Sequence, residues 1–382
     1  MPAMLPVPDD TTPRLAGVLA SSLAAVTGGG GAFDLPPVRS ALVLLVDGLG
    51  ATNLQARAGH ARFLAGRMAK RDVIRTVFPS TTAAAIASFA TGDMPGEHGL
   101  VGYRTLEPSR DVLANQLNGW EHGQLPADWQ RSATLFERAG GLHIRPIAVG
   151  APRYATSGYT RAVLRGAEYR SGTSLAERFA EALEAVTARG ASLVYLYVPE
   201  LDQIAHAHGW ESDRWLATLE ELDAEASALA SRLPRDVGML VTADHGVIDV
   251  PQHRHVHIDA RPALLDGVRH IGGEPRCLAL WFDPTFPDTE RERVAGLWRE
   301  AEEKRAWVLT RDEAIDAGLF GARVDDAVRP RIGDLLVAAR AGVAYYDARE
   351  ANRAPERMIG QHGSLSDEET RIPLIRLGAF AR

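Results

Sequence analysis

At 382 residues the chain is long enough for two average domains, and its 46% hydrophobic and 24% charged residues are ordinary for a soluble globular protein. Its formal net charge of −7 leaves no basic footprint, which argues against a nucleic acid polymer as a partner. Cys277 is the only cysteine, which excludes an intramolecular disulfide and a zinc site built on thiolates.

The N-terminal segment predicts an amphipathic helix, because Leu15, Val18, Leu19, Leu23 and Val26 recur at helical spacing. No basic region opens the chain ahead of this segment, as a secretory signal would require. No apolar stretch approaches the length of a transmembrane helix. We therefore expect a protein of the cytoplasm that has no membrane partner.

Strands are predicted from apolar runs at residues 40–46, 73–78, 143–150, 192–198 and 238–243. Helical patterns lie between these runs, near residues 130–140, 173–189 and 211–232. Such alternation predicts a three-layer α/β fold, in which helices cover both faces of a mostly parallel central sheet. We interpret residues 1–382 as a single catalytic domain.

The pattern changes between residues 252 and 356. There, the apolar segment PRCLALWFD, a helical pattern at 288–304 and the segment IGDLLVAARAGVAYYD follow one another. This order predicts a small α+β insertion, which we interpret as a cap subdomain within the catalytic domain.

Three aspartates lie at or just past the ends of predicted strands. They are Asp47 in LLVDGLG, Asp202 in VPELDQIAHAHG and Asp244 in VTADHGV. Open α/β sheets bind their ligands at the carboxyl ends of their strands. One aspartate in such a place is explained equally well as a loop or capping residue, but three together favour a site.

Histidines accompany these aspartates at spacings that suit metal ligands. Asp202 and His206 are four residues apart and share one face of a helix, whereas His208 would point elsewhere. His245 directly follows an aspartate at a strand end, and His362 lies between glycines in IGQHGS. Imidazoles and carboxylates in this ratio are suited to zinc or similar ions.

The segment FPSTTAAAIASFATG carries hydroxyl groups where a strand gives way to a helix. Amides at a helix N-terminus stabilise a phosphoryl oxygen, and a hydroxyl there can act as a nucleophile. Ser and Thr are also ordinary helix caps, and we expect Ser80 to be the cap. Thr81 and Thr82 are then the candidate nucleophiles.

Together these motifs resemble the alkaline phosphatase superfamily, and most closely its type I phosphodiesterase/nucleotide pyrophosphatase branch. The resemblance extends from Asp47 to His362, and that branch also carries an insertion at 252–356. In the superfamily a Thr-Gly pair follows the nucleophile, with the Gly ten residues on. Because Thr91 and Gly92 close the segment here, the resemblance selects Thr82 as the nucleophile, which would form a covalent phosphothreonine.

The resemblance also implies two divalent metal ions, expected to be Zn²⁺, with Mn²⁺ or Fe as alternatives. One ion would be held by Asp202, His206 and His362. The other would be held by a second set of groups, which are Asp47, Asp244, His245 and the oxygen of Thr82.

One position departs from the pattern of the branch. An Asn that donates to a phosphoryl oxygen is replaced here by Tyr103 in GLVGYR. We expect Tyr103 to bind substrate through its phenol, and Arg104 beside it to have a surface role. Trp120, Tyr154 and Tyr159 are aromatic residues that would either stack on a leaving group or pack the insertion against the core.

The leading hypothesis is a metal-dependent hydrolase of phosphodiester or pyrophosphate bonds, acting on a small phosphoester, nucleotides included. The alternatives on the same scaffold are a phosphomonoesterase and a phosphonate hydrolase, and a different class is a metal-stabilised binding protein without activity. The chain lacks the sequence context in which sulfatases form formylglycine. A cofactor-independent phosphoglycerate mutase would carry its last His soon after Asp244-His245, unlike His362.

Overall fold

The computed structural model describes residues 5–6 and 12–381. Its α-helices are, in chain order, α1 (Ala16–Val26), α2 (Ala51–Ala56), α3 (Arg62–Ala65), α4 (Thr82–Thr91), α5 (Pro95–His98), α6 (Leu135–Gly141), α7 (Gly158–Val163), α8 (Leu175–Thr187), α9 (Glu200–His208), α10 (Asp213–Arg232), α11 (Asp288–Glu302), α12 (Arg311–Asp316) and α13 (Asp367–Thr370). Its strands are β1 (Ser40–Val46), β2 (Val73–Arg75), β3 (Arg104–Glu107), β4 (Val112–Asn115), β5 (Arg145–Gly150), β6 (Glu168–Ser171), β7 (Ser192–Val198), β8 (Val237–Thr242), β9 (Ile248–Asp249), β10 (His255–His257), β11 (Val268–Glu274), β12 (Cys277–Phe282), β13 (Ala306–Thr310), β14 (Leu335–Ala339), β15 (Ala344–Tyr346), β16 (Gly360–Gln361) and β17 (Arg371–Gly378).

A seven-stranded sheet forms the centre of the fold, in the order β2-β17-β8-β1-β7-β5-β6. The five strands from β8 to β6 are parallel, and β17 runs antiparallel between β8 and β2. Every residue of β1 and β8 is buried, as expected for strands covered on both faces. The predicted α/β class with a mostly parallel sheet is confirmed.

Two groups of helices cover this sheet. The first contains α1, which contacts β1, β7, α4 and α6, and the second contains α8, which contacts β5, β7 and α10. The N-terminal helix predicted from apolar spacing is therefore present as α1, and it buries Val18, Leu19 and Leu23. None of the helices in the described residues has the length and apolar character needed to cross a membrane.

A second, antiparallel sheet has the order β11-β12-β14-β13 and lies within residues 252–356. Helix α11 packs on it, and a separate apolar cluster includes Trp298, Val294, Val337 and Tyr345. The predicted helix at 288–304 is thus present with nearly the same bounds. The division of the chain into a core and a cap subdomain stays a prediction.

The strand predicted at 73–78 is shorter in the structure and ends at Arg75. Its neighbour is β17, whose first residue, Arg371, is already the partner of Arg75. Beyond that point there is no strand left to pair with, and the chain continues through Pro79 towards the carboxyl edge of the central sheet. The prediction overestimated the strand because the apolar run continues past the end of the available partner.

A buried ion pair connects the second sheet to the core. Arg276, in the turn between β11 and β12, donates from Nε and Nη2 to the Glu369 carboxylate at 3.1 and 2.6 Å. Both side chains have no exposed surface. Arg276 also donates to the Val343 carbonyl at 2.7 Å, and the Ser364 amide donates to Glu369 at 3.0 Å. The turn is therefore fixed to α13 by charge and hydrogen bonds.

Replacing Arg276 with Met should lower the free energy of unfolding by about 3–5 kcal/mol, because it leaves the Glu369 carboxylate buried without a counter-charge. The double variant R276M/E369Q should lose clearly less, since it contains no unpaired charge. Denaturant unfolding measures both. The exposed pair Arg293–Glu290 supplies the control, and R293M should change the free energy of unfolding far less than R276M does. Equal losses for the single and double variants would contradict this account.

Candidate metal centre

Three carboxylates meet at the carboxyl edge of the central sheet. Asp47 directly follows β1, Asp244 lies just past the end of β8, and Asp202 is in the first turn of α9, which follows β7. Because β8, β1 and β7 are adjacent strands, these side chains converge. All three are at least nine-tenths buried, with 3%, 7% and 0% of Asp47, Asp202 and Asp244 exposed.

Glycine permits the close approach of two of these elements. Gly48 has φ +73°, and a Cβ at this position would lie 3.0 Å from the Asp202 Cβ. Its amide donates to Asp244 Oδ1 at 3.2 Å. A side chain here would be strained by the backbone and would crowd Asp202, so the Asp47-Gly48 sequence allows both carboxylates to reach one place.

The six predicted protein ligands form two groups. One contains Asp202, His206 and His362, and the other contains Asp47, Asp244 and His245. Within each group the candidate ligand atoms all lie within 4.8 Å of one another. The structure thus brings together the same residues that the resemblance assigned to each ion.

Backbone carbonyls orient all three imidazoles. The Nδ1 atoms of His206, His362 and His245 lie 2.8, 2.9 and 3.2 Å from the carbonyls of Gly360, Ser80 and Gly246 respectively. A carbonyl can only accept, so each Nδ1 carries a proton, and Nε2 is the ring nitrogen that faces the carboxylates, at 3.0 Å from Asp202 Oδ2 in His206. Hydrogen bonds of this kind fix the tautomer and ring orientation of metal-binding histidines.

Unpartnered oxygens indicate what these groups can hold. Asp47 Oδ1, Asp202 Oδ1 and Asp244 Oδ2 are buried and have no hydrogen-bond partner. Buried carboxylate oxygens without partners are costly, and bound cations would satisfy them. Carboxylate oxygens and neutral imidazoles are also the correct donors for divalent zinc-like ions. The residues present therefore fit two metal ions.

The pKa values of Asp47, Asp244 and His245 also favour a bound cation. Burial, followed by the Asp244 charge, raises the pKa of Asp47 well above its usual range, and burial together with Asp202 raises the pKa of Asp244 to about 7. Burial lowers the pKa of His245 well below its usual value, with His362 adding to the effect. In the other group, burial is outweighed by the attraction between Asp202 and His206, which raises the pKa of His206 and lowers that of Asp202. The repelling carboxylates Asp47 and Asp244 are a poor pair alone and a good one around a cation.

Thr82 is the first residue of α4, and its hydroxyl lies 3.2 Å from His245 Nε2. The expectation that Ser80 caps this helix is wrong. Thr81 is the N-cap residue, while the Ser80 hydroxyl donates to the Ser364 carbonyl at 2.7 Å and accepts from the Gly363 amide at 3.2 Å. Ser80 thereby holds the loop that carries His362, and the predicted nucleophile stands next to the Asp47 group.

A cavity of about 580 Å³ opens in front of Thr82. Its wall includes Asp47, Asp202 and His362 from the two groups. Tyr103, the residue predicted to bind substrate, also lines this cavity and is 36% exposed. Its role in binding stays a prediction.

Other residues singled out in the sequence have varied positions. Tyr154 and Tyr159 line the cavity, whereas Trp120 packs edge-on against Tyr159 with ring centroids 6.0 Å apart. Arg104 was expected on the surface, but it lines the cavity and donates to Glu350 at 2.8 Å. His208 contacts Arg214 and belongs to neither candidate metal group.

Two residues of the site were missed in the sequence. The phenol of Tyr197, at the end of β7, donates to the Asp47 carboxylate, and it lies in the cavity wall. Its place next to the last residue of a buried strand was a usable signal, since that position lies at the ligand-binding edge. Glu274, at the end of β11, also lines the cavity, and no local pattern marks it.

Comparison with known proteins gives a family over most of the chain. The model of the family described as "Type I phosphodiesterase / nucleotide pyrophosphatase" matches residues 41–365. No curated protein sequence matches the chain significantly.

Solved structures share the fold. The murine ectonucleotide pyrophosphatase/phosphodiesterase 5 superposes with a TM-score of 0.66 at 18% identity, covering 87% of each chain. Its inactive threonine-to-alanine variant in complex with AMP superposes with a TM-score of 0.66 at 18% identity, covering 89% of this chain and 88% of that one. Phosphonoacetate hydrolase from Sinorhizobium meliloti in complex with phosphonoacetate superposes with a TM-score of 0.69 at 17% identity, covering 90% of this chain and 91% of that one.

Elemental analysis should find two divalent ions per chain, and His206→Ala should reduce this number towards one. The loss should be confined to the Asp202 group, because His206 has no part in the other group. Metal removal by chelation should lower the midpoint of thermal unfolding, since ions that bind only the folded state stabilise it. His208→Ala is the matched control and should keep both ions. Equal loss of metal in the two variants would contradict the assignment.

Proposed function

The chain belongs to the type I phosphodiesterase/nucleotide pyrophosphatase family, and we propose that it is a metal-dependent hydrolase of phosphodiester or pyrophosphate bonds. The family and the similar structures indicate, more broadly, a hydrolase of phosphoester or phosphonate bonds. The proposal of phosphodiester or pyrophosphate hydrolysis rests mainly on the position of Thr82. This residue lies at a helix N-terminus, beside two groups of candidate metal ligands, and lines a cavity.

In the proposed reaction Thr82 Oγ attacks phosphorus from the side of α4. The bond from Oγ to phosphorus forms as the bond from phosphorus to the leaving alcohol or phosphate breaks, which gives a phosphothreonine. Water then cleaves this ester and restores the hydroxyl. Divalent ions at the two groups would supply the positive charge that lowers the pKa of a hydroxyl or water and stabilises a leaving oxygen.

We propose zinc as the ion in both groups. Three imidazoles and three carboxylates without a thiolate suit Zn²⁺, and the same donors accept Mn²⁺ or Fe. The chain's residues then have distinct tasks. The carbonyls of Gly360, Ser80 and Gly246 hold the imidazole rings, and Tyr197 holds the Asp47 carboxylate.

The charge on the cavity wall bears on the substrate. Arg104 is the one basic Arg or Lys side chain that lines the cavity among the described residues, and it is already paired with Glu350. Glu121, Asp347 and Glu356 add carboxylates to the same wall, where Asp347 is paired with Arg349 and Glu356 with Arg353. Among the described residues, such a wall offers no unpaired Arg or Lys to an anionic group beyond the phosphoryl group that reacts. It therefore supports a diester that carries a single negative charge.

A phosphonate hydrolase is the second candidate, because a structure of phosphonoacetate hydrolase has the higher TM-score of 0.69. The ligand in that structure carries a carboxylate in addition to the phosphonate group. A second anion of this kind would need an unpaired basic residue in the wall, and Arg104 is committed to Glu350. We therefore place the diester first, with Tyr103, Tyr154 and Tyr159 available to contact its second substituent.

Thr82→Ala should lower kcat by about 10³-fold or more, because it removes the attacking atom. Rapid acid quenching of the wild-type enzyme during turnover should trap a phosphoryl group, and peptide mapping should locate it on Thr82. A phosphoryl group on Ser80 or Thr81 would show that the nucleophile is assigned wrongly.

Among matched aryl substrates, bis(p-nitrophenyl) phosphate should be hydrolysed with a kcat/KM at least roughly tenfold higher than that of p-nitrophenyl phosphate, since the monoester brings additional negative charge to the wall. Phosphonoacetate should be a poorer substrate than either ester. Initial rates across this panel, measured with and without a chelator, test the substrate class. A preference for the monoester or for the phosphonate would overturn the diester proposal.

A further inference from the structure

Glu274 is a buried carboxyl group in the wall of the active-site cavity that none of the steps above uses. It is the last residue of β11, and only 7% of it is exposed. Neither of its carboxyl oxygens has a hydrogen bond of normal geometry, although the Thr81 hydroxyl and the Tyr103 amide lie close enough to lower its pKa. Buried polar atoms are almost always well partnered, so a carboxyl of this kind in a cavity wall is available to a bound molecule.

Its neighbours place this carboxyl beside the reacting centre. A Cβ on Gly363 would lie 2.3 Å from the Glu274 Cγ and 2.9 Å from its Oε1, so the Glu274 side chain occupies the space that a side chain after His362 would fill. On another side the carboxyl faces the hydroxyl of Thr81, the residue before the nucleophile, and the amide of Tyr103. Glu274 thus lies beside two segments, one that carries the proposed nucleophile Thr82 and one that carries the candidate metal ligand His362.

The hairpin that carries Glu274 holds it in place. Glu274 pairs with Cys277 across a two-residue turn whose second residue is Arg276, the partner of Glu369. Gly273, directly before it, has φ +78°, and a Cβ there would lie 2.1 Å from the Cys277 carbonyl oxygen. The side chain is therefore positioned by the turn before any substrate binds.

The surroundings of Glu274 favour its neutral form. Burial raises its pKa well above the usual range, and the Glu369 charge acts in the same direction, while the Thr81 hydroxyl and the Tyr103 amide oppose the shift. A neutral carboxylic acid donates a hydrogen bond, whereas a carboxylate would repel a phosphoryl group. A neutral Glu274 would offer a donor beside Tyr103, which stands at the position of the family's Asn.

We propose that the carboxylic acid of Glu274 donates a hydrogen bond to a non-bridging phosphoryl oxygen of the substrate attacked by Thr82. The proton stays on Glu274 throughout, because the group stabilises charge on the phosphoryl oxygen and transfers no proton to the leaving group. This inference rests on the proposed function. It adds a catalytic residue from the insertion to a site otherwise built from the central sheet.

The test compares two substitutions of similar size. Glu274→Gln keeps a neutral donor and should retain kcat within about threefold. Glu274→Met keeps the volume but has no donor, and it should lower kcat by about 10²-fold, with KM changed much less, as expected for a contact that strengthens in the transition state. Both variants should bind as much metal as the wild type and unfold at similar temperatures, since neither loses a counter-charge.

Each other outcome has a defined meaning. If Glu274→Gln is as impaired as Glu274→Met, the group transfers a proton and the donor role is wrong. If Glu274→Met is fully active, Glu274 is only structural and the inference fails. Glu290→Gln removes an exposed carboxylate outside the cavity and serves as the control for charge alone, with unchanged kcat expected. A wild-type enzyme with no activity on phosphodiesters would instead defeat the proposed function, whatever the variants do.

Discussion

The burial of three carboxylates at one edge of the central sheet is the constraint around which this molecule is organised. Asp47, Asp202 and Asp244 are brought to one edge of the sheet by three adjacent parallel strands, and each keeps a buried oxygen without a partner. Without cations such a cluster opposes folding, and its protonation behaviour shows the conflict, since burial raises the pKa of Asp244 to about 7. Imidazoles held by backbone carbonyls complete an arrangement that added positive charge would stabilise. Under the proposed function, metal binding and the folding of this edge of the sheet are therefore coupled.

The second sheet lines the cavity of the candidate site as well as adding to the fold. Its β11–β12 turn is anchored by Arg276 to Glu369, and that anchor lies two residues from Glu274. A charge pair with no solvent exposure tolerates little displacement, because any shift leaves a buried charge unpaired. The same contact that stabilises the insertion thus determines where its carboxyl group meets the cavity. The proposed contact of Glu274 with substrate and the stability of the fold would therefore depend on a shared hairpin.

Much of the central fold was predictable, for a physical reason. Residues 40–46 and 192–198 were predicted with the observed bounds, because strands buried on both faces are continuous apolar runs. Strand β17 was missed, since Arg371, Pro373 and Arg376 interrupt its apolar pattern although it lies inside the sheet. Tertiary pairing outweighed the local signal there, and Pro373 is tolerated at the point where β17 passes from its pairing with β2 to its pairing with β8.

Some residues of the candidate site could likewise be predicted from the sequence, and others could not. The aspartates and histidines could be selected because strand ends and helical spacing restrict where a side chain points, and the resemblance sorted them into two groups. Ser80 was misjudged because a hydroxyl before a helix usually caps it, whereas here it holds the loop of His362. Glu274 could not be predicted, since its place depends on how a distant hairpin packs against the core.

His362 and β17 lie near the end of the chain, so both are synthesised after the other ligands and the other strands of the central sheet. A growing polypeptide contains all of Asp47, Asp244 and His245 well before the insertion is made, but the group of Asp202 and His206 lacks its third ligand until the insertion is finished. The pairing edge of β8 also stays open until β17 emerges from the ribosome, because β17 occupies that edge in the folded protein. The two ion-binding groups therefore become available one after the other, and the second becomes complete only when the last part of the sheet is close to forming.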